Sequence, residues 1–309
     1  MFLWRLGTGD SPSDCGDRVI HCIEDTEGNW RIDRKCCEKG NERNAGWYSE
    51  SGQRSEERTG KIITEAFDNS EAIIRLEDFY GEKKQLCDKC IIIFSEQIFD
   101  YMLKTYAHEQ AGTIKCCNGI TKVYVFEIDN MKIAAYLSHI GSSMAGSDVI
   151  DANWLTDASR FIMFGLAGSL DSDKTTGKFV IPIESYREEG MSYHYAEPSN
   201  YMKIRNYQIV KFIFDNLGLP NVAGKVWTTD AIYRETKTKI DARKKEGCIA
   251  VEMELAGVQA VCDFYGWDLY NFLVTGDVLD QAIYDATGLA AANHDVDKLY
   301  IAIELAKRI

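Results

Sequence analysis

The chain has 309 residues, of which 45% are hydrophobic and 27% charged, the composition of a globular protein with a sizeable core. Its formal net charge of −13 disfavours a nucleic-acid groove or an anionic membrane surface as the main partner. No stretch has the length of a transmembrane helix and the first residues do not form a signal peptide, so we expect a cytoplasmic protein without nucleic-acid or membrane partners.

The cysteines raise the question of a metal site. Cys87 and Cys90 form a CxxC pair, which has the spacing of half a zinc site. No second CxxC pair or spaced histidine pair accompanies it, and Cys90, Cys248 and Cys262 fall in apolar runs, as small core residues do. We therefore expect reduced thiols and no metal, with a zinc site as the less favoured alternative.

The first 60 residues differ in composition from the rest. Gly, Ser, Asn and charged residues dominate, and neither a period of 2 nor a period of 3.6 persists. This predicts a poorly structured N-terminal extension over residues 1–60, with a Cys-rich accessory module as the alternative. Residues 61–309 are predicted to form the main domain.

From residue 88 onward, apolar runs of strand length alternate with segments of helical periodicity, which is typical of a single α/β domain. The predicted strands are 90–94, 123–128, 132–137, 160–164, 177–182, 224–229, 249–251 and 269–275. Five main helices are predicted. The first follows the N-cap Ser95, the second ends near residue 155, and the third spans 201–217. The fourth runs from residue 255 to a stop at Gly266, and the fifth begins near residue 294.

Two loops of small residues, 138–146 and 165–170, each follow a strand. Small side chains let backbone N–H groups approach an anion or a sugar oxygen. His139 in the first loop is as well explained by a structural hydrogen bond as by a ligand contact. The loops alone are therefore a weak signal.

Two carboxylates flank a methionine where a buried strand turns into a helix, at Glu252, Met253 and Glu254. Ligands bind at strand ends in α/β sheets, and a carboxylate there can accept hydrogen bonds from the vicinal hydroxyls of a ribose. The thioether can pack against the sugar face. The alternative is that both acids merely lie in the first turn of a helix, where the helix dipole favours them.

Four motifs together resemble the nucleoside phosphorylase family: GLAGSL at 165–170, TDAIY at 229–233, VEMELA at 251–256 and TGD at 275–277. The resemblance covers about residues 88–309. It implies a three-layer α/β/α sandwich with a mixed, partly barrel-like central sheet. It also implies a homo-oligomer, a dimer or a hexamer, in which a neighbouring subunit often completes the site.

The resemblance implies roles for individual residues. Glu254 corresponds to the carboxylate that binds the ribose hydroxyls, Met253 lies under the sugar, and Glu252 lines the same pocket. Ile232 takes the place of the residue that stacks on the base, with Tyr233 beside it.

Asp277 corresponds to the acid that purine-specific members direct at N7. Cleavage of the glycosidic bond leaves negative charge on the departing base, which a protonated carboxyl can neutralise. The alternative for Asp277 is an N-cap after the last strand.

The phosphate-binding pattern of the family is not preserved. No arginine occurs at 94–99 after the first strand, and Met163 and Leu166 stand at two further phosphate-binding positions. Thr236 and Thr238 replace the residues that bind uracil in uridine phosphorylases. The remaining candidates for an anion site are His139, Ser142, Gly165 and Arg187.

We therefore expect an enzyme that cleaves a purine nucleoside with phosphate as co-substrate, releasing the base and ribose 1-phosphate without any cofactor. Hydrolysis of the same bond, as in nucleosidases for methylthioadenosine, S-adenosylhomocysteine or AMP, is the close alternative because the phosphate ligands are missing. Uridine phosphorolysis and a nucleoside-binding protein without turnover remain as further alternatives.

Overall fold

The computed structural model describes residues 22–24, 30–32, 66–117, 119–281 and 283–309. The chain divides into two units, Met1–Arg58 and Thr59–Ile309. In the first unit, strands β1 (Cys22–Glu24) and β2 (Trp30–Ile32) pair in antiparallel fashion. The remainder of the predicted extension lies outside the described residues, so its character stays a prediction.

The second unit alternates strands and helices, as the periodicity predicts. Its strands are β3 (Lys89–Ile93), β4 (His108–Cys116), β5 (Gly119–Ile128), β6 (Met131–Leu137), β7 (Arg160–Ser169), β8 (Phe179–Glu188), β9 (Tyr201–Lys203), β10 (Asn221–Thr229), β11 (Cys248–Glu252) and β12 (Asp268–Val278).

The described helices of this unit are α1 (Glu77–Tyr80), α2 (Glu96–Thr105), α3 (Ser142–Thr156), α4 (Ser172–Thr175), α5 (Ser192–Tyr195), α6 (Tyr207–Asn216), α7 (Lys237–Lys245), α8 (Leu255–Tyr265), α9 (Leu289–His294) and α10 (Asp297–Ala306). A 3₁₀ turn, Ile232–Arg234, precedes α7. None of the helices in the described part of the chain combines the length and apolar character needed to cross a lipid bilayer.

The central sheet is mixed and closes on itself over part of its width. Its strand order is β11-β10-β8-β12-β7-β3-β6-β5-β4, and β11 pairs a second time with β7. That second pairing closes a ring of five strands, while β3, β6, β5 and β4 extend from it as an open sheet. The prediction of a mixed, partly barrel-like central sheet is therefore confirmed.

Helices cover both faces of the sheet, which accounts for the layered core. Along β3, Cys90 and Ile92 pack in one apolar cluster with α3 and α8, whereas Ile91 and Ile93 pack in a second cluster with α2, α6 and α10. Successive side chains of a strand point to opposite faces, so an uninterrupted apolar run is what a strand buried on both sides requires.

Local signals set several element ends as predicted. The Ser95 side chain accepts a hydrogen bond from the Ile98 N–H and caps α2. Gly266 adopts a left-handed conformation, with φ of 73°, at the end of α8. Asp129 and Asn130 both have positive φ, 50° and 62°, in the tight turn that joins β5 to β6.

Other element bounds differ from the sequence predictions. The segment 165–170, predicted as a loop, largely continues β7 as far as Ser169. Residues 201–217 are not one helix, because Tyr201–Lys203 pairs with β8 before α6 begins. Strand β4 was not predicted, and the last helix begins at Asp297 after the separate short helix α9.

Candidate active site

A cavity of about 230 Å³, the inner cavity, lies where the ends of β7, β11 and β12 meet. Gly168 of β7 is the residue at which they join, since it pairs with Val251 of β11 and with Asp277 of β12. A Cβ atom on Gly168 would lie 2.3 Å from Leu279 Cδ1 and 3.1 Å from Val251 Cγ1. Only glycine lets the three strands approach this closely.

Glu252 is a buried carboxylate whose oxygens accept hydrogen bonds from groups of the protein. Its Oε2 accepts hydrogen bonds from the backbone N–H groups of Glu254, at 2.8 Å, and Leu255, at 2.7 Å. The Thr228 hydroxyl donates to its Oε1, and the Ala256 N–H donates to Thr228 Oγ1 at 3.0 Å. Glu252 therefore satisfies the free N–H groups at the start of α8, as the helix-terminus alternative predicts.

Glu254 behaves differently, although it occupies the N-cap position of α8. Its side chain makes no capping hydrogen bond, and its Oε1 instead accepts the backbone N–H of Gly141 at 2.7 Å. Ser142 donates to the carbonyl oxygen of Met253 at 3.0 Å, so the start of α3 holds this turn from the other side. Oε2 of Glu254 is then the oxygen available to a ligand.

Burial raises the pKa of both carboxyls, and the charge of Glu254 raises that of Glu252 further. The hydrogen bonds from Thr228 and from backbone N–H groups act in the opposite direction and favour the ionised forms. The net effect is upward for both groups, so the two buried acids do not both carry a full negative charge at neutral pH.

Asp277 also lines the inner cavity and lies within β12. It is not the N-cap that the alternative interpretation required, because the next described helix begins only at Leu289. Tyr284 donates to its Oδ2 at 2.9 Å, and burial raises the pKa of its carboxyl. A carboxyl of raised pKa is suited to hold and donate a proton.

The inner cavity continues into a second one of about 710 Å³, the outer cavity. Ile232, Glu235, Asp277 and Tyr284 line both. Ile232 is 53% exposed and can pack against a ligand, whereas Tyr233 is 96% exposed and lines only the outer cavity.

Sequence reasoning missed Glu235 and Tyr284. Glu235 follows the predicted base-stacking position by three residues, so its place after a strand end was a usable signal. Tyr284 lies in a stretch without periodicity, and only the folded chain brings it to Asp277.

The four candidate anion-binding residues are not gathered in one place. Gly165 lines the inner cavity, and Ser142 is buried behind Met253. His139 is turned toward the buried Asp148, whose carboxylate contacts both its Nδ1 and its backbone N–H at 2.9 Å.

Arg187 is 3% exposed, and its guanidinium makes its hydrogen bonds to groups of the protein. It donates to Ser192 Oγ at 2.8 Å and to the Glu197 carbonyl at 2.7 Å, and it stacks over the Tyr193 ring at 4.1 Å. The structure therefore does not place Arg187 on the cavity wall, because its donors are used to hold the segment after α5.

In the described part of the chain, the wall of the inner cavity holds four carboxyls and no Lys, Arg or His side chain. The four are Glu235, Glu252, Glu254 and Asp277. Nor do the described residues contain a group of three or more His, Cys, Asp or Glu side chains arranged to hold a metal ion.

The family model of the phosphorylase superfamily matches residues 89–309, which contain every wall residue of the inner cavity. The chain belongs to the phosphorylase superfamily. The match begins at β3, the first strand of the central sheet, and ends with α10 at the last residues of the chain.

Curated relatives of the chain include two that match part of its length. Uncharacterized protein R802 of Acanthamoeba polyphaga mimivirus is 30% identical over 39% of this chain and 47% of its own length. A DeoD-type purine nucleoside phosphorylase of Caldanaerobacter subterraneus subsp. tengcongensis is 26% identical over 48% of this chain and 64% of its own length. The chain thus spans less than two thirds of these relatives.

Solved structures share the fold of this chain. A futalosine hydrolase mutant of Helicobacter pylori strain 26695 superposes with a TM-score of 0.59 at 15% identity, over 72% of this chain and 100% of that one. The purine nucleoside phosphorylase of Toxoplasma gondii in complex with immucillin-H gives 0.59 at 18% identity, over 72% and 92%. A hydrolase and a phosphorylase thus share this fold.

Proposed function

We propose that this protein cleaves the N-glycosidic bond of a purine nucleoside, with water as the acceptor of the ribosyl group. The observation that carries the proposal is the inner cavity itself, which is lined by both Glu254 and Asp277. The ribose would lie on Met253 and direct its hydroxyls at Oε2 of Glu254. The base would rest against Ile232 and direct N7 at Asp277.

The chemistry follows from the charges. As the bond between C1′ and N9 breaks, its electron pair moves into the base and positive charge develops on the sugar. Asp277 donates its proton to N7, which neutralises the leaving base. The carboxylate of Glu254 stabilises the positive sugar. A water oxygen then bonds to C1′, and the proton it loses returns through solvent to Asp277.

Water is favoured over phosphate because the described wall of the inner cavity offers an anion no cationic partner. A phosphate dianion in the inner cavity would lose its hydration with no Lys, Arg or His side chain on the described wall to pair with it, which is unfavourable. Phosphorolysis is the second candidate. It is favoured by the DeoD-type purine nucleoside phosphorylase among the relatives, and it would require a cation from a neighbouring subunit.

A base-release assay tests the proposal. Wild type and Asp277→Asn are incubated with adenosine, inosine, methylthioadenosine and uridine, in phosphate-free buffer and with phosphate. We expect purine release without phosphate, weak release from uridine, and little release by the variant. Release that requires phosphate would establish the second candidate, and binding without release would make the protein a nucleoside-binding protein.

A further inference from the structure

Glu235 is a half-buried glutamate that the proposed chemistry does not use. It follows the turn Ile232–Arg234 and lines both cavities together with Asp277. No described group donates a hydrogen bond to its carboxyl, within residues 66–117, 119–281 and 283–309. The neighbouring Glu188, in contrast, is paired with Lys239. Glu235 is thus an unpartnered acid at the end of the site where the base would lie.

Two acidic groups, Asp277 and Glu188, act on Glu235, while Lys237 and Lys244 line the outer cavity with it. Burial raises its pKa to about 7, and the charges of Asp277 and Glu188 add to the effect. Asp277 also has a raised pKa because of burial, while Tyr284 donates to its Oδ2. Because like charges repel, two carboxyls that line the same cavities favour the state in which only one of them is ionised. Together they present one hydrogen-bond donor and one acceptor.

Purines differ in what they present to such a pair. On the edge that carries N7, adenine offers an acceptor at N7 and a donor at its 6-amino group. Guanine offers acceptors at both N7 and O6, and a 6-oxo purine such as hypoxanthine presents the same pattern. A pair of carboxyls with a single proton satisfies the acceptor and the donor of adenine. The two acceptors of a 6-oxo purine would require both carboxyls to be protonated.

We propose that Glu235 accepts a hydrogen bond from the 6-amino group of a purine whose N7 faces Asp277, and so selects 6-amino over 6-oxo purine nucleosides. This inference rests on the proposed function of the same site and narrows its substrate class. Asp277 remains the catalytic acid, and Glu235 determines specificity. A 6-oxo substrate would place its oxygen against the carboxylate of Glu235, leaving both acceptors unpaired.

The experiment compares kcat/KM for adenosine and inosine in wild type, Glu235→Gln and Glu184→Gln. Glu184→Gln is the matched control, since this glutamate pairs with Lys225 at 2.9 Å and lies outside both cavities. Wild type and the control should prefer adenosine on the order of 10- to 100-fold. In Glu235→Gln the amide can turn either its oxygen or its nitrogen to the base, so the preference should largely disappear.

A binding measurement keeps the test independent of turnover. In wild type, titration with the free bases should show tighter binding of adenine than of hypoxanthine. In Glu235→Gln the two bases should bind with similar affinities. An inosine rate equal to or above that of adenosine, or an unchanged ratio in Glu235→Gln, would overturn the inference and leave the proposed function standing. Absence of base release from every nucleoside would instead overturn the proposed function.

Discussion

Replacing Glu254 with glutamine removes a charge and an acceptor from the inner cavity while keeping the size of the side chain. In the wild type, the Gly141 N–H donates to Oε1 at 2.7 Å. The same N–H will hold the amide oxygen of the variant, because an amide nitrogen cannot accept it. The amide nitrogen then occupies the position of Oε2 and cannot accept hydrogen bonds from ribose hydroxyls.

The expected loss follows from the type of hydrogen bond removed. A hydrogen bond to a charged group is worth about 1.5–3 kcal/mol. Losing one such bond should weaken nucleoside binding by roughly 10- to 150-fold. The loss should depend on the ribose hydroxyls, so 2′-deoxyadenosine, which lacks one of them, should be affected less than adenosine.

Isothermal titration of adenosine and 2′-deoxyadenosine measures both effects, in an Asp277→Asn background so that turnover does not consume the ligand. Glu252→Gln is the comparison variant. Its amide oxygen can keep both backbone N–H bonds and its nitrogen can donate to Thr228 Oγ1, so affinity should change little. Equal affinities of the Asp277→Asn protein with and without Glu254→Gln for adenosine would refute the assignment of Glu254 to the ribose.

Four further predictions concern other parts of the chain. Asp277→Asn should lower base release from purine nucleosides by roughly 10²–10⁴-fold in steady-state assays, because the proton donor is lost. Gly257→Ala should lower the free energy of unfolding in urea by about 1–3 kcal/mol. The new Cβ would lie 2.7 Å from Ser142 Cβ and 3.1 Å from Met191 Cβ, and neither of these atoms can rotate away. Gly119→Ala is the control, because a Cβ there meets nothing within 4 Å. Burial raises the pKa of Glu235 from 4.5 to about 7, so its protonation contributes stability that is fully present below pH 4.5 and is lost as the pH rises through 7. Glu235→Gln should therefore raise Tm at pH 8 more than at pH 5. Deleting residues 1–60 should leave Tm and activity close to those of the full chain, as measured by calorimetry and base release.

An element could be predicted from the sequence where a single local rule decides its structure. The apolar run of β3 and the N-cap Ser95 both form as predicted, because burial on two faces and a free helix N-terminus each demand one kind of residue. The strand-to-helix turn at Glu252–Glu254 also follows from local pattern, which is why its two carboxylates could be located before their separate contacts were known.

Long-range pairing explains what could not be predicted. Tyr201–Lys203 becomes a strand because β8 offers it an edge, although its own sequence continues into a helical pattern. Gly168 resembles a loop glycine in sequence, yet it lies inside β7 because two other strands approach it from both sides. Tyr284 reaches Asp277 through the fold of the chain after β12, for which no periodicity exists.

The central claim is that the bond is cleaved by water, and an isotope measurement tests it most directly. Adenosine is incubated with the protein in ¹⁸O-labelled water containing unlabelled phosphate, and the sugar product is analysed by mass spectrometry before its anomeric oxygen exchanges. The account predicts free ribose carrying one ¹⁸O atom, together with adenine. Unlabelled ribose 1-phosphate as the product would contradict it and would show that phosphate attacks C1′.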